Sequence, residues 1–339
     1  MSKPEPIWQH LPFHFKEDVV SYLDFKSKCS LRMCSKDDQK VVDSRPITID
    51  YFGLNLTERP VDDVHKNTPA EIVLRDKDVT MSKFFSPHSA IVYFMKIFKL
   101  DKKFKVNTLN IHVWNYNLHS NHFKFFKNFL ECMNTEKVRP KIRNFELPTS
   151  FMDEKQLESL VRAVNIEHLE TMSLGCATRF QLENLARSEQ WTKVKALKLH
   201  TRDQIDPRWV SHIQRLNIRV GKLSPGCISS LLKDLLSNNV PHGSFISVST
   251  YYPVVNTRNA TLNNIFKKLP FTAKNDQIDL ATITNSTIKK FLESPLYTQK
   301  IQISDENNLL FVIICERGFG ALVCRDNYFE DDLKSFICE

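Results

Sequence analysis

Glycine is scarce in this sequence. Seven of its 339 residues are glycine, about 2% against an average near 7%, which leaves few of the tight backbone approaches that phosphate-cradling loops need. Neither G-x-G-x-x-G nor G-x-x-x-x-G-K-S/T occurs, and the nearest approximation, Gly318-Phe319-Gly320, is too short. Nucleotide-dependent catalysis is set aside on that ground. Paired cysteines are also missing: the eight thiols, from Cys29 to Cys338, form no C-x-x-C and have no histidine at zinc-ligand spacing. Several stand among apolar neighbours, as reduced core cysteines do. There is no G-x-S-x-G. His119 and His122 can share a helix face, but no nearby carboxylate or thiol completes a metal site. No catalytic residue, metal or cofactor is expected. No apolar run follows Met1-Ser2-Lys3-Pro4 to serve as a secretory signal. The longest apolar stretch, Leu309 to Cys315, is far below the roughly 20 residues that cross a bilayer. The expected compartment is a reducing one, cytoplasm or nucleus, without membrane contact.

Charge is present but unevenly placed. The formal net charge is +8, from 47 Lys plus Arg against 39 Asp plus Glu. Residues 1–50 hold eight basic and eight acidic side chains, and the last forty residues are acidic. Between Lys96 and Arg143, eleven basic residues face only Asp101, Glu131 and Glu136. This stretch admits a nucleic-acid reading, and Phe123, Phe125, Phe126 and Phe129 interleaved with Lys124 and Lys127 resemble a stacking surface on paper. At helical spacing they read better as a core face with a charged rim, which ranks nucleic acid low among the partners.

The first fifty residues read as three short helices. Pro12 suits a helix start, and Phe15, Val19, Val20 and Leu23 fall on one face against Lys16, Glu17 and Asp18. A second helix follows Asp24, and Ser35 caps a third that runs to about Val42. Three such helices bury too little on their own to stand alone. Residues 47–105 are expected as a connecting subdomain, with short strands at Ile47–Ile49 and Ile72–Leu74 and a helix after Ser86-Pro87.

From Val106 onward the pattern apolar-x-x-apolar-x-apolar recurs: Val106, Leu109, Ile111; Ile142, Phe145, Leu147; Leu169, Met172, Leu174; Val194, Leu197, Leu199; Ile213, Leu216, Ile218. Amphipathic helical patterns follow most copies. A short strand with two inward residues cannot bury them alone, but stacked copies with their helices can. The intervals, 36, 27, 25 and 19 residues, are irregular, and the ladder asparagine of leucine-rich repeats is absent: Trp114, Ser150, Ala177, Arg202 and Gly221 stand there. After Pro270 a helix at Asn285–Leu292, a strand at Lys300–Ser304 and a second at Leu309–Cys315 are expected. A turn at Glu316–Gly320 and a return over Ala321–Arg325 complete a hairpin that covers the open strand edge. The fold class is α/β: a three-helix unit at 1–46, the connecting subdomain at 47–105, an irregular strand-helix solenoid resembling leucine-rich repeats at 106–270, and a hairpin-bearing cap at 271–339.

The segment from Leu11-Pro12 through Leu23-Asp24-Phe25-Lys26-Ser27 to Leu31-Arg32-Met33-Cys34-Ser35-Lys36, closing at Val41-Val42-Asp43-Ser44, resembles an F-box. The Leu-Asp-Phe-Lys-Ser wording, followed by a divergent repeat region, looks most like the nematode-type class that carries an FTH domain. One departure stands in it: Asp37 and Asp38 occupy places where the family has an apolar residue. The resemblance implies a non-catalytic substrate receptor of a Skp-cullin-F-box ubiquitin ligase. It assigns Leu11, Pro12, Phe15, Val19, Leu23, Leu31 and Cys34 to a Skp-family adaptor, with a cullin reached through it. The repeat region would hold a protein target through residues flanking the inward strand positions: Asn110, His112, Ser173, Lys198, His200, Arg215, Asn217 and Arg219, with Glu146 nearby. Lys198, His200, Arg215 and Arg219 would form a basic patch suited to an acidic or phosphorylated target. The competing reading is a repeat-based binding scaffold that never meets an adaptor.

Overall fold

Four short helices open the chain: α1 (Ile7–His10), α2 (Phe13–Tyr22), α3 (Phe25–Arg32) and α4 (Lys36–Ser44). Each break has a local cause. Pro12 occupies the cap before α2, where its missing N–H costs nothing. The Asp24 carboxylate accepts from the Ser27 N–H at 2.8 Å to start α3, and the Ser35 hydroxyl accepts from the Asp38 N–H at 3.0 Å to start α4. The computed structural model describes residues 7–56, 70–100, 104–113, 119–150, 152–237, 240–251, 297–303, 308–315 and 317–325. The chain divides into two compact units, Met1–Leu169 and Glu170–Glu339.

In the first unit the helices are followed by β1 (Thr48–Leu56), β2 (Ala70–Asp76), β3 (Val79–Phe85), α5 (Pro87–Leu100), β4 (Lys105–Val113), α6 (His119–Thr135), β5 (Lys141–Pro148) and α7 (Glu154–Ala163). The strand order is β5-β4-β1-β2-β3. β1 pairs parallel with β4 and β4 with β5, while β2 and β3 continue antiparallel. Residues 47–105 are therefore no separate connecting piece. Their first strand needs β4 to satisfy its backbone, and that places them in the sheet of the repeat region. β3, whose Val79-Thr80-Met81-Ser82 alternation breaks at Lys83, is an edge strand absent from the sequence reading.

The three-position apolar pattern has a structural cause in this unit. The pairing skips Asp50, Asn107 and Arg143 on three neighbouring strands, and the buried alternation changes phase there, from Ile49 to Phe52, Val106 to Leu109 and Ile142 to Phe145. Asn107 donates to the Asp50 carboxylate at 3.0 Å across the skipped position. Below the sheet, Phe94 of α5 packs edge-on against Phe52 and Phe129, at ring separations of 5.5 and 4.8 Å. Phe125, Phe126 and Phe129 of α6 are buried while Lys124 and Lys127 are exposed. The phenylalanines are core, so they offer no stacking platform for nucleic acid.

The second unit runs β6 (Thr171–Gly175), α8 (Arg179–Leu185), α9 (Glu189–Lys193), β7 (Ala196–His200), a 3-10 turn at Pro207–Trp209, β8 (Arg215–Val220), α10 (Pro225–Ser237), β9 (Phe245–Thr250), β10 (Tyr297–Gln302), β11 (Asn308–Cys315) and β12 (Gly318–Arg325). Its strand order is β6-β7-β8-β9-β12-β11-β10. The first four strands are parallel, and β12, β11 and β10 follow antiparallel. The first apolar residue of each of these triplets, Leu169 at the end of the first unit and Val194 and Ile213 in the second, lies just before its strand and is buried. α9 and β9 were not anticipated. Ser188 caps α9 by accepting from the Trp191 N–H at 3.3 Å, and the Trp191 indole donates to the Trp209 carbonyl at 2.6 Å. β12 begins at Gly318, earlier than the expected turn allows. The helix expected at Asn285–Leu292 lies outside the described residues.

Candidate functional site

α2, α3 and α4 enclose a very small core. Val20, Val41 and Val42 are its buried centre, with Trp8, Leu23, Leu31 and Ile47 packed against it. The apolar face of α2 is split by this arrangement. Val20 and Leu23 turn inward, whereas Phe15 and Val19 are 53% and 44% exposed. Ile7, Phe13, Tyr22 and Met33 are exposed as well. Large apolar side chains are thus concentrated on the exposed side of one small unit. The Asp38 carboxylate accepts from the Trp8 indole at 2.7 Å, and Asp37 pairs with Lys40 at 2.9 Å. The two acids stand in the first turn of α4, where the helix dipole favours them.

The helical unit is fastened to the first sheet. The Phe25 N–H donates to the buried carboxylate of Asp76 at 2.5 Å, and Lys77 donates to the Tyr22 carbonyl at 2.6 Å. The Phe25 ring meets Phe104 at 6.2 Å. A cavity of about 400 Å³ lies along this seam, lined in part by Lys28, Arg45, Asp50, Asp76 and Lys77. Burial holds the Lys28 ammonium below its ordinary pKa, with Asp76 opposing that shift. Most of the lining charges are committed internally, since Asp50 also accepts from the Lys77 N–H at 2.9 Å and Arg45 pairs with Asp18 at 3.0 Å.

A second surface lies on the sheet of the second unit. Register aligns Ser173, Lys198, Asn217 and Ser247 in one row across four parallel strands, and His200, Arg219 and Ser249 in the next. The alternate residues Met172, Leu174, Leu197, Leu199, Leu216, Ile218, Ile246 and Val248 are buried, so these rows share the other face. Lys198 and Arg219 are exposed, and His200 is half-buried. The Arg219 guanidinium lies 4.4 Å from the Tyr251 ring centre, and the Tyr251 hydroxyl is hydrogen-bonded to His200 Nε2. Burial first, then the charges of Arg219 and Arg202, lowers the His200 pKa.

Two family models match the chain. The family model of the F-box domain matches residues 8–50, and that of the FTH domain matches residues 121–271. The chain carries an F-box and an FTH domain. It is also similar to an uncharacterized F-box protein of Caenorhabditis elegans, 33% identical over 70 residues. That match covers 21% of this chain and 18% of the relative. An F-box implies, in general, an adaptor role in a ubiquitin ligase and binding to a Skp-family adaptor.

Of the residues assigned to the adaptor from sequence, Pro12, Phe15, Val19 and Cys34 of the F-box are exposed, and Leu11 is half-buried. Leu23 and Leu31 lean into the F-box core instead. Ile7, Phe13, Tyr22 and Met33 are exposed apolar residues of the same unit that the sequence reading did not single out, because helical spacing marks an apolar face without saying which part of it turns outward. The residues assigned to the target separate into two groups. Ser173, Lys198, His200, Arg215, Asn217 and Arg219 share one face of the second unit, while Asn110 and His112 stand on β4 of the first. Asn110 donates to Glu146, Asn144 to Thr108 at 3.3 Å and Asn55 to Glu71 at 3.0 Å. Those amides stitch neighbouring strands together. The side chains of His119 and His122, and the acidic end of the chain, lie outside the described residues. No helix among the described residues is long and apolar enough to cross a membrane.

Proposed function

We propose that this chain is the substrate-recognition subunit of a Skp-cullin-F-box ubiquitin ligase. In this reading the F-box docks on a Skp-family adaptor, and through it on a cullin, while the FTH region holds a protein target. The observation that carries the reading is the apolar surface of α2: Phe15 and Val19 are exposed on a domain whose own buried centre is three valines. A unit with so little core gains burial from a partner. The strand-helix repeats act as a degenerate, leucine-rich-repeat-like array, with the β11–β12 hairpin covering the far edge of β9. The receptor contributes placement and leaves the chemistry to the ligase machinery, in the cytoplasm or nucleus.

Co-expression with a Skp-family adaptor followed by affinity capture tests the proposal. The unmutated chain is expected to retain the adaptor, and Phe15→Lys with Val19→Lys to lose it with the thermal midpoint unchanged. Absence of a complex with the unmutated chain would favour the scaffold reading, in which the repeats bind a partner without ligase association.

A further inference from the structure

The turn between β2 and β3 reaches across to the joint between α2 and α3. β2 ends at Asp76 and β3 begins at Val79, and these two residues pair across the hairpin, so Lys77 and Asp78 form its tip. The joint opposite is Leu23-Asp24, between the end of α2 at Tyr22 and the start of α3 at Phe25. A helix leaves its last carbonyls and its first N–H groups without partners of its own. Adjacent residues of the hairpin supply one partner to each end. The Lys77 ammonium donates to the Tyr22 carbonyl at the end of α2, and the buried Asp76 carboxylate accepts from the Phe25 N–H at the start of α3. Each charge has the sign that the helix dipole favours at that end. Asp24 caps α3 through Ser27, so Asp76 takes an amide that the local cap leaves over.

The hairpin tip is itself anchored on the sheet. Asp50 of β1 accepts from the Lys77 N–H at 2.9 Å and from the Asn107 carboxamide of β4 at 3.0 Å. Lys77 holds its place in a left-handed backbone, with φ at +53°, a conformation that is unfavourable for a residue with a Cβ and that glycine adopts freely. What lysine offers there and glycine does not is the ammonium on Tyr22.

We infer that Asp76 and Lys77 are positioning residues for adaptor docking, which set the angle between α2 and α3 from outside the F-box, whose family model ends at residue 50. The inference rests on the receptor reading. Exposed apolar residues stand on both sides of the joint, Phe15 and Val19 on α2 and Met33 just past α3. A partner that covers both groups needs the two helices at one fixed angle. The small valine core beneath them gives that angle little support. A joint fixed before the partner arrives loses less entropy on docking.

The test titrates a Skp-family adaptor against the full chain and reads the dissociation constant beside the thermal midpoint of the free chain. Lys77→Gly is expected to weaken binding about threefold to tenfold, the scale of one hydrogen bond's net contribution, while the midpoint stays or rises because the left-handed turn relaxes. Lys77→Arg keeps a donor and should hold the affinity within about twofold. Asp76→Asn removes a charge of the opposite sign and should also weaken binding, a pairing that long-range steering by charge does not produce. Asp78→Gly loosens the same tip without removing either tie and should leave the affinity unchanged. Unchanged affinity of Lys77→Gly, an equal loss in Asp78→Gly, opposite effects of Lys77→Gly and Asp76→Asn, or weaker binding only where the midpoint falls would each overturn the inference. An unmutated chain that binds no adaptor overturns the receptor reading and this inference with it. Adaptor binding that Lys77→Gly leaves intact overturns this inference alone.

Discussion

Trp8 and Asp38 are joined by a 2.7 Å hydrogen bond from indole to carboxylate, and this bond ties α1 to the first turn of α4. The other Asp38 oxygen accepts from the Ser35 hydroxyl at 2.7 Å, so one carboxylate serves the cap and the preceding helix together. An apolar residue at this place, as the F-box pattern has it, does neither. Asp38→Leu is expected to destabilise the chain by about 1–2 kcal/mol, through the unsatisfied indole and the lost acid at the helix start. Urea unfolding measures it, and a gain in stability would show that apolar packing outweighs the bond.

Val20 separates folding from docking on the same helix. It is 2% exposed, while Val19 beside it faces outward. Val20→Ala is expected to cost about 1–3 kcal/mol in a core this small. Saturating adaptor should restore much of the lost thermal midpoint, because a ligand that binds only the folded state stabilises it by mass action. Val19→Ala should leave the free chain's midpoint within about 1 °C, given a surface change below roughly 0.5 kcal/mol, and weaken capture instead. Identical behaviour of the two variants would contradict this division of α2.

How far these relationships could be read in advance depended on whether local chemistry set them. The starts of α3 and α4 were legible because Asp24 and Ser35 act within three residues. The parallel strands were legible in their apolar triplets, and the rows of Lys198, His200, Arg215, Asn217 and Arg219 followed from alternation within those strands. β3 and β9 were not legible. β3 is a half-exposed edge whose alternation lasts only from Val79 to Ser82, and β9 opens on the adjacent buried pair Phe245 and Ile246. Where the sequence has no ladder asparagine, the buried Thr201 hydroxyl donates to the Ala177 carbonyl at 2.5 Å and accepts from the Asp203 N–H at 3.1 Å, which joins the segments that follow β6 and β7. The outward turn of Phe15 and Val19 depended on α4 packing against α2, which no local spacing encodes.

Gly221, just after β8, is pressed against the backbone that follows β7. A Cβ there would lie 2.1 Å from the Arg202 carbonyl oxygen, and backbone yields less readily than a side chain. Gly221→Ala is expected to destabilise by about 1–3 kcal/mol. Gly226 supplies the contrast: it lies in α10 and a Cβ there meets nothing within 4 Å. Gly226→Ala should stabilise by roughly 0.5–1 kcal/mol. Paired urea curves check both, and equal shifts would remove the steric account.

Two histidines give the fold an acid-side dependence of known sign. Burial, with help from Lys105 and Lys141, lowers the His168 pKa, and burial with Arg219 and Arg202 lowers that of His200. His168 Nδ1 is buried without a hydrogen-bond partner among the described residues. Each group binds protons more weakly folded than unfolded. The stability they contribute is therefore fully present above the unfolded value near 6.5 and is lost as pH falls through it toward the folded pKa. The urea midpoint is expected to drop between about pH 7.5 and pH 5.5, ahead of the carboxylate-linked loss that begins nearer pH 4. His168→Asn with His200→Asn should flatten the upper part of that decline while leaving the lower part in place. An unchanged slope between pH 7.5 and 5.5 in the double variant would assign the dependence to other groups.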